Sequence, residues 1–306
     1  MPTALLSPAR VAATPLAAAR ALLPEEGGGD WCPTCGKVHE KRPGDPRWRP
    51  PVRDIEVLGL RMALVYVFRL QLGRVLAHYH LAALPPRKTA MQLLTDILRV
   101  GEVDLRAWAL QDAKLLKPAF EAYYDRGANA ILGRIGYSPA TPWNVHAPGV
   151  QEALERHAVR LCRDTAATTN LAVADAVQAV KERVGAGLVA EEYTRKTLTD
   201  EIGKVFQGAE RWRSQRIAVT EASMAIHDGE ILAGKQSGVV EGYEPLVSAD
   251  ACEMCQQMAE AFPFVPMEEA LAGLGQYAGL TGGRSLPPYH PNCACSQTER
   301  LTSEGG

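Results

Sequence analysis

The chain has 306 residues, 46% of them hydrophobic and 22% charged, with a formal net charge of -2. That length suits roughly two domains with cores of their own, and the composition does not fit a collagen-like, wholly disordered or multispan membrane protein. Charge is unevenly spread: residues 41–120 carry 14 Lys/Arg against 7 Asp/Glu, whereas 241–306 carry 2 against 9. The middle of the chain therefore suits an anionic partner and its end does not.

Residues 1–50 read as a poorly packed arm, with Pro2, Pro8, Pro15, Gly27 to Gly29, Pro43 and Pro46 interrupting regular structure. Arg10 and Arg20 break up the Ala/Leu content at the start, so no export signal is expected. Within the arm, Trp31-Cys32-Pro33-Thr34-Cys35-Gly36-Lys37-Val38-His39 is a Cys-x-x-Cys knuckle with a histidine four residues on. Cys32, Cys35 and His39 are three candidate metal donors. Asp30, Glu40, a distant residue or a partner chain would supply the fourth.

From Ile55 the pattern turns helical, with Leu60, Leu64, Val67, Phe68, Leu72, Val75 and Tyr79 at three- and four-residue steps before Pro85-Pro86. Arg61, Arg69 and Arg74 interrupt this segment, so it predicts a buried helix and no membrane span. His78 and His80, two apart, face different ways and cannot share a metal. A second helical stretch covers about 89–132, and a loop lies between Pro139 and Pro148. Residues 150–184 predict one long helix or a broken pair, stopped by Gly185-Ala186-Gly187. Cys162 within it reads as a small core residue. Two further helices are expected at about 191–207 and 209–236. Arg211, Arg213 and Arg216 open the latter as a solvated face or an anion contact. Val239 to Ser248 predicts a strand, confined to an edge by Pro245.

The last 60 residues have little apolar periodicity and need another source of cohesion. They contain Cys252-Glu253-Met254-Cys255, then 34 residues, then His290-Pro291-Asn292-Cys293-Ala294-Cys295. Without an export signal, such pairs are metal ligands before they are disulfides. A Cys-x-x-Cys knuckle turns two thiolates toward one centre, and the second cluster completes a zinc tetrahedron. Five donors compete for four places: His290 with Cys293 is one half-site and Cys293 with Cys295 the other. A structural zinc would tie together a lobe that lacks a large core; buried free thiols or a disulfide are the plain alternatives. Glu253, between two ligands, is expected to face solvent. No glycine-rich phosphate loop, Gly-x-Ser-x-Gly or His-Glu-x-x-His sequence occurs, so no catalytic role and no small-molecule substrate are expected.

Three stretches in this order carry a family resemblance: Arg216-Ile217-Ala218-Val219-Thr220-Glu221 on an Arg-rich helix, then Asp250-Ala251-Cys252-Glu253-Met254-Cys255, then Leu286-Pro287-Pro288-Tyr289-His290-Pro291-Asn292-Cys293-Ala294-Cys295. The chain resembles the phage head-morphogenesis minor head proteins, called Mu F-like, over about 211–298. Val219, Pro245 or Leu246, and Ala294 stand where members of that family usually carry Arg or Lys, Trp, and Arg respectively. The resemblance implies a minor capsid protein of the virion, inside the head near the portal and in the host cytoplasm during assembly. It implies the portal protein and other head proteins as partners, with packaged DNA as a further candidate.

The expected fold is mainly α: a helical front region followed by a small α+β, zinc-stabilised C-terminal lobe. The expected divisions are an arm at 1–50, a helical domain at 51–208 and a Mu F-like domain at 209–306. The competing readings are a zinc-containing His-Asn-His-type nuclease and a DNA-binding module. A nuclease needs a base and further metal-binding side chains beside the metal, and the acidic end of the chain opposes phosphate contact.

Overall fold

The computed structural model describes residues 30–32, 37–39, 57–79, 103–136, 143–188, 194–249, 251–275, 285–290, 293 and 295–302. Near the start, strands β1 (Asp30–Cys32) and β2 (Lys37–His39) pair antiparallel, with Asp30 opposite His39 and Cys32 opposite Lys37. Helix α1 (Leu58–His78) follows, and of the residues picked out by periodicity Leu60, Leu64, Val67, Phe68, Val75 and Tyr79 just beyond it are buried, while Leu72 is half-buried. A short 3-10 turn (Leu105–Trp108), whose first free amide at Arg106 bonds the Asp104 side chain at 3.0 Å, leads into α2 (Ala109–Arg134).

The long stretch expected as one helix or two is one, α3 (Pro148–Gly185). Pro148 suits its first turn because the missing N–H would have no partner there. Its end is closed by Gly187 at φ 70 and by Leu188 N donating to Arg183 O at 2.8 Å, the wrapped-back ending that a glycine after a helix permits.

Helix α4 (Thr194–Gly208) was expected to stop before the next helix begins. Instead it continues through a π-helical turn (Ala209–Arg213) into α5 (Ser214–Ser237). Gly208 resembles a helix stop in sequence, yet its φ of -60 is helical. Ser214 Oγ donates to Glu210 O at 2.7 Å across the widened turn. Helix α5 ends at Gly238, whose φ of 72 is the left-handed ending.

Past α5 come β3 (Val240–Leu246), α6 (Glu253–Ala261), β4 (Val265–Pro266), α7 (Met267–Ala272) and β5 (Ser296–Leu301). The three strands form an antiparallel sheet in the order β4-β3-β5, so β3 is the central strand and not an edge. Its proline is tolerated because β4 pairs only with Gly242 and Tyr243. Pro245 faces β5 alone, opposite Gln297, and the strand is locally an edge where its amide is missing. Among the described residues no helix is long and apolar enough to cross a membrane.

The chain gathers into two compact units that are not consecutive blocks: one holds residues through Met62, Lys117–His157 and Gln215–Gly306, the other Ala63–Leu116 and Ala158–Ser214. In the second, Arg74 reaches Asp112 at 2.8 Å and lies over the Trp108 ring, and the Leu105 amide donates to Asn170 Oδ1 at 3.2 Å. Arg213 is half buried over Phe68 and donates to Thr169 Oγ1 and Thr165 O, so of the two readings of this face, solvated charge or anion contact, the first does not describe Arg213. In the first unit, α2 and α5 touch backbone to backbone: a Cβ on Gly127 would strike the Ile226 carbonyl, and one on Gly229 would strike the backbone of Tyr124. These glycines let two helices approach more closely than side chains allow.

Candidate metal centre

Cys252 caps the start of α6 and Cys255 lies in its first turn, so the helix itself brings the two thiols within 3.6 Å of each other. Cys293 N donates to His290 O at 3.1 Å, and His290, Cys293 and Cys295 lie together just ahead of β5. His290 Nε2 lies 3.2 Å from Cys252 Sγ and 3.1 Å from Cys255 Sγ, and Cys255 Sγ lies 3.7 Å from Cys293 Sγ. All five side chains are buried, and Tyr289, Ala251, Met254 and Met258 pack around them.

The donors form two triads, Cys252 with Cys255 and His290, and Cys255 with Cys293 and Cys295. Cys255 belongs to both. Either triad can hold a metal ion, and sulfur separations of 3.6 and 3.7 Å are close to the edge of about 3.8 Å that tetrahedral bonds of 2.3 Å would give. Thiol hydrogen bonds from Cys255 and then Cys295 pull Cys293 well below the usual thiol range, and bonds to Cys293 and Cys295 raise Cys255 in turn. Cys293 is thereby the thiol of the three whose anionic form, the ligand form of cysteine, its neighbours favour, while Cys295 is raised like Cys255.

The five C-terminal residues expected to gather do so, and Glu253 is exposed as expected, its carboxylate accepting from Gln257. Of the second expected set, Cys35 lies outside the described residues. For Cys32 and His39 only the backbone pairing is described, which places them on adjacent strands. Asn292 and Ala294 also lie outside the described residues.

A buried polar group in the same unit was not anticipated. His157 on α3 bonds Glu221 Oε2 through Nε2 at 2.7 Å, and its Nδ1 faces Asp228 Oδ2 at 3.6 Å without a hydrogen bond. Asp228 also accepts from Tyr124 Oη at 3.1 Å and from the Gly275 amide at 2.8 Å. Nearby on α5, Glu230 pairs with Arg134 at 3.1 Å, and Arg134 reaches Glu299 of β5 at 2.9 Å. Burial would lower the Arg134 guanidinium, but Glu299 and Glu230 outweigh it and raise it; burial pushes the Glu230 carboxyl up to about 7 against the pull of Arg134. Glu221 and Asp228, seven apart, share one face of α5, and Ala218, Ala222 and Ala225 beside them are buried. That combination is the sequence signal that was available: charges on an otherwise apolar face must be paired.

Compared with protein-family models, curated proteins and solved structures, the chain matches none.

Proposed function

We propose that the protein is a minor head protein of a phage particle, acting in head morphogenesis at the portal, with its C-terminal lobe held together by one structural zinc. The observation that carries the reading is the ordered set of residues 216–221, 250–255 and 286–295, whose cysteines and histidine converge in one buried cluster. Thiolate and imidazole donors favour zinc among common biological ions, and a buried site richer in donors than zinc needs leaves no position open for a reacting water. The exposed carboxylate of Glu253 points away from the role of a base at that metal. An assembly role follows from these together, with the basic stretch 53–117 as the surface for portal or DNA.

The test compares phage lacking the gene with phage carrying the Glu253→Gln, Asn292→Ala double change. Deletion is expected to yield defective heads, the double change to leave infectivity near wild type, and the protein to purify from virions with the portal ring. Normal heads after deletion overturn the assembly role. Loss of function in a folded, zinc-loaded double variant points instead to chemistry at the site.

A further inference from the structure

Neighbouring residues on α5 hold both flanks of the segment that leads to the metal donors. Asp228 accepts from the Gly275 amide at 2.8 Å on one flank, and His227 Nδ1 contacts Pro287 O at 3.1 Å on the other. A carbonyl can only accept, so Nδ1 of His227 carries the proton and donates. His227 as a residue is 3% exposed, and its backbone carbonyl accepts from Gln297 Nε2 at 3.3 Å, one residue into β5. Pro287 and Pro288 have no N–H to offer, so carbonyls and apolar packing are what can fix this stretch. Leu286 and Tyr289, on either side of the two prolines, are both wholly buried. Three residues beyond Pro287 comes His290, the donor that reaches both Cys252 and Cys255.

We infer that His227 is a positioning residue of the metal centre: by holding the Pro287 carbonyl it presets where His290 stands relative to Cys252 and Cys255. The inference rests on the metal reading above. Groups hydrogen-bonded to the ligands themselves commonly cost about 10- to 100-fold in metal affinity when lost, and His227 acts one step further out, through the backbone that leads to His290.

The experiment measures zinc affinity of the full chain by competition with a chromophoric chelator, together with the visible spectrum of the cobalt-substituted protein and far-UV circular dichroism. His227→Leu should bind zinc at least about tenfold more weakly with helical content unchanged. His227→Asn, whose amide N–H can stand where Nδ1–H stands, should recover most of that loss, whereas His227→Gln, whose amide reaches toward the Nε2 position, should not. If His227→Leu fails to fold, the Asn and Gln variants decide between them. Wild-type protein that takes up no zinc or cobalt overturns the metal reading itself. Wild-type protein that binds zinc, with Asn and Gln variants equal to each other or all variants equal to wild type, overturns the role of His227 alone.

Discussion

His157 Nε2 stands 2.7 Å from Glu221 Oε2, and these side chains expose 0% and 1% of their surface. Removing Glu221 leaves His157 Nε2 buried without its hydrogen-bond partner, so Glu221→Ala is expected to cost roughly 1 to 3 kcal/mol of stability. Arg156 and Glu152, one turn apart on α3 and mostly exposed, form a pair of similar length at 2.9 Å. Breaking that one should cost less than about 0.5 kcal/mol. Denaturant melts of the two variants side by side check both expectations.

Cys255 is common to the two donor triads. Cys255→Ser should therefore abolish stoichiometric metal binding, whereas Cys252→Ser and Cys295→Ser each leave one triad intact and should retain weakened binding. Elemental analysis of the three purified variants, beside wild type at one zinc per chain, is the measurement. A second equivalent in wild type that disappears on Cys32→Ser would assign it to the knuckle in the arm.

Gly127→Ala and Gly229→Ala force a methyl group into the backbone of the opposing helix. Each should destabilise by about 2 kcal/mol or more, since neither α2 nor α5 can yield without moving a packed neighbour. Gly203, inside α4, has open space where a Cβ would go. Gly203→Ala should raise stability by about 0.5 to 1 kcal/mol.

Because the Glu230 carboxyl is raised to about 7 in the folded protein, from an ordinary value of 4.5, the folded state holds more protons than the unfolded state between those values. Its contribution to stability is full below about 4.5 and is lost as pH rises toward 7, with a slope of at most about 1.4 kcal/mol per pH unit. Thermal melts across this range should show that decline in wild type relative to Glu230→Gln.

Binding of the basic stretch 53–117 to an anionic partner should weaken between low and physiological salt. Part of the positive surplus is already used internally: Arg74 pairs with Asp112 and Arg69 with Glu210. Titration against portal and against duplex DNA at two salt concentrations checks this, and salt-indifferent binding argues against an electrostatic surface.

The Cys/His cluster was legible in sequence because spacing alone limits where Cys252 and Cys255 can point, and the start of α6 does the rest. The helices around Leu60 and Leu154 were legible from apolar periodicity, and the ends of α3 and α5 at Gly187 and Gly238 from glycines that adopt left-handed backbone. The junction of α4 with α5 was not, because a π-helical turn shifts the hydrogen-bond register without a proline to mark it. Strand β5 was missed for a different reason: Ser296-Gln297-Thr298-Glu299-Arg300-Leu301 is polar, and it is a strand through its pairing with β3. The pairing of Glu221 and Asp228 was not legible, because their partners, His157 and Tyr124, lie 64 and 104 residues away in the chain.

The compact unit that holds the metal donors also takes in Lys117–His157. A fragment starting near residue 209 would keep Glu221, Asp228 and Glu230 but lose His157, Tyr124 and Arg134, leaving acidic side chains stranded in what had been an interior. Such a piece would have every cysteine of the centre and still lack the autonomy to fold around it. Dissection of this protein by truncation would then confuse loss of metal with loss of the distant strand of sequence that completes the interior. The separable piece, if one is sought, is a splice of 117–157 to 215–302 through a linker rather than a simple C-terminal cut.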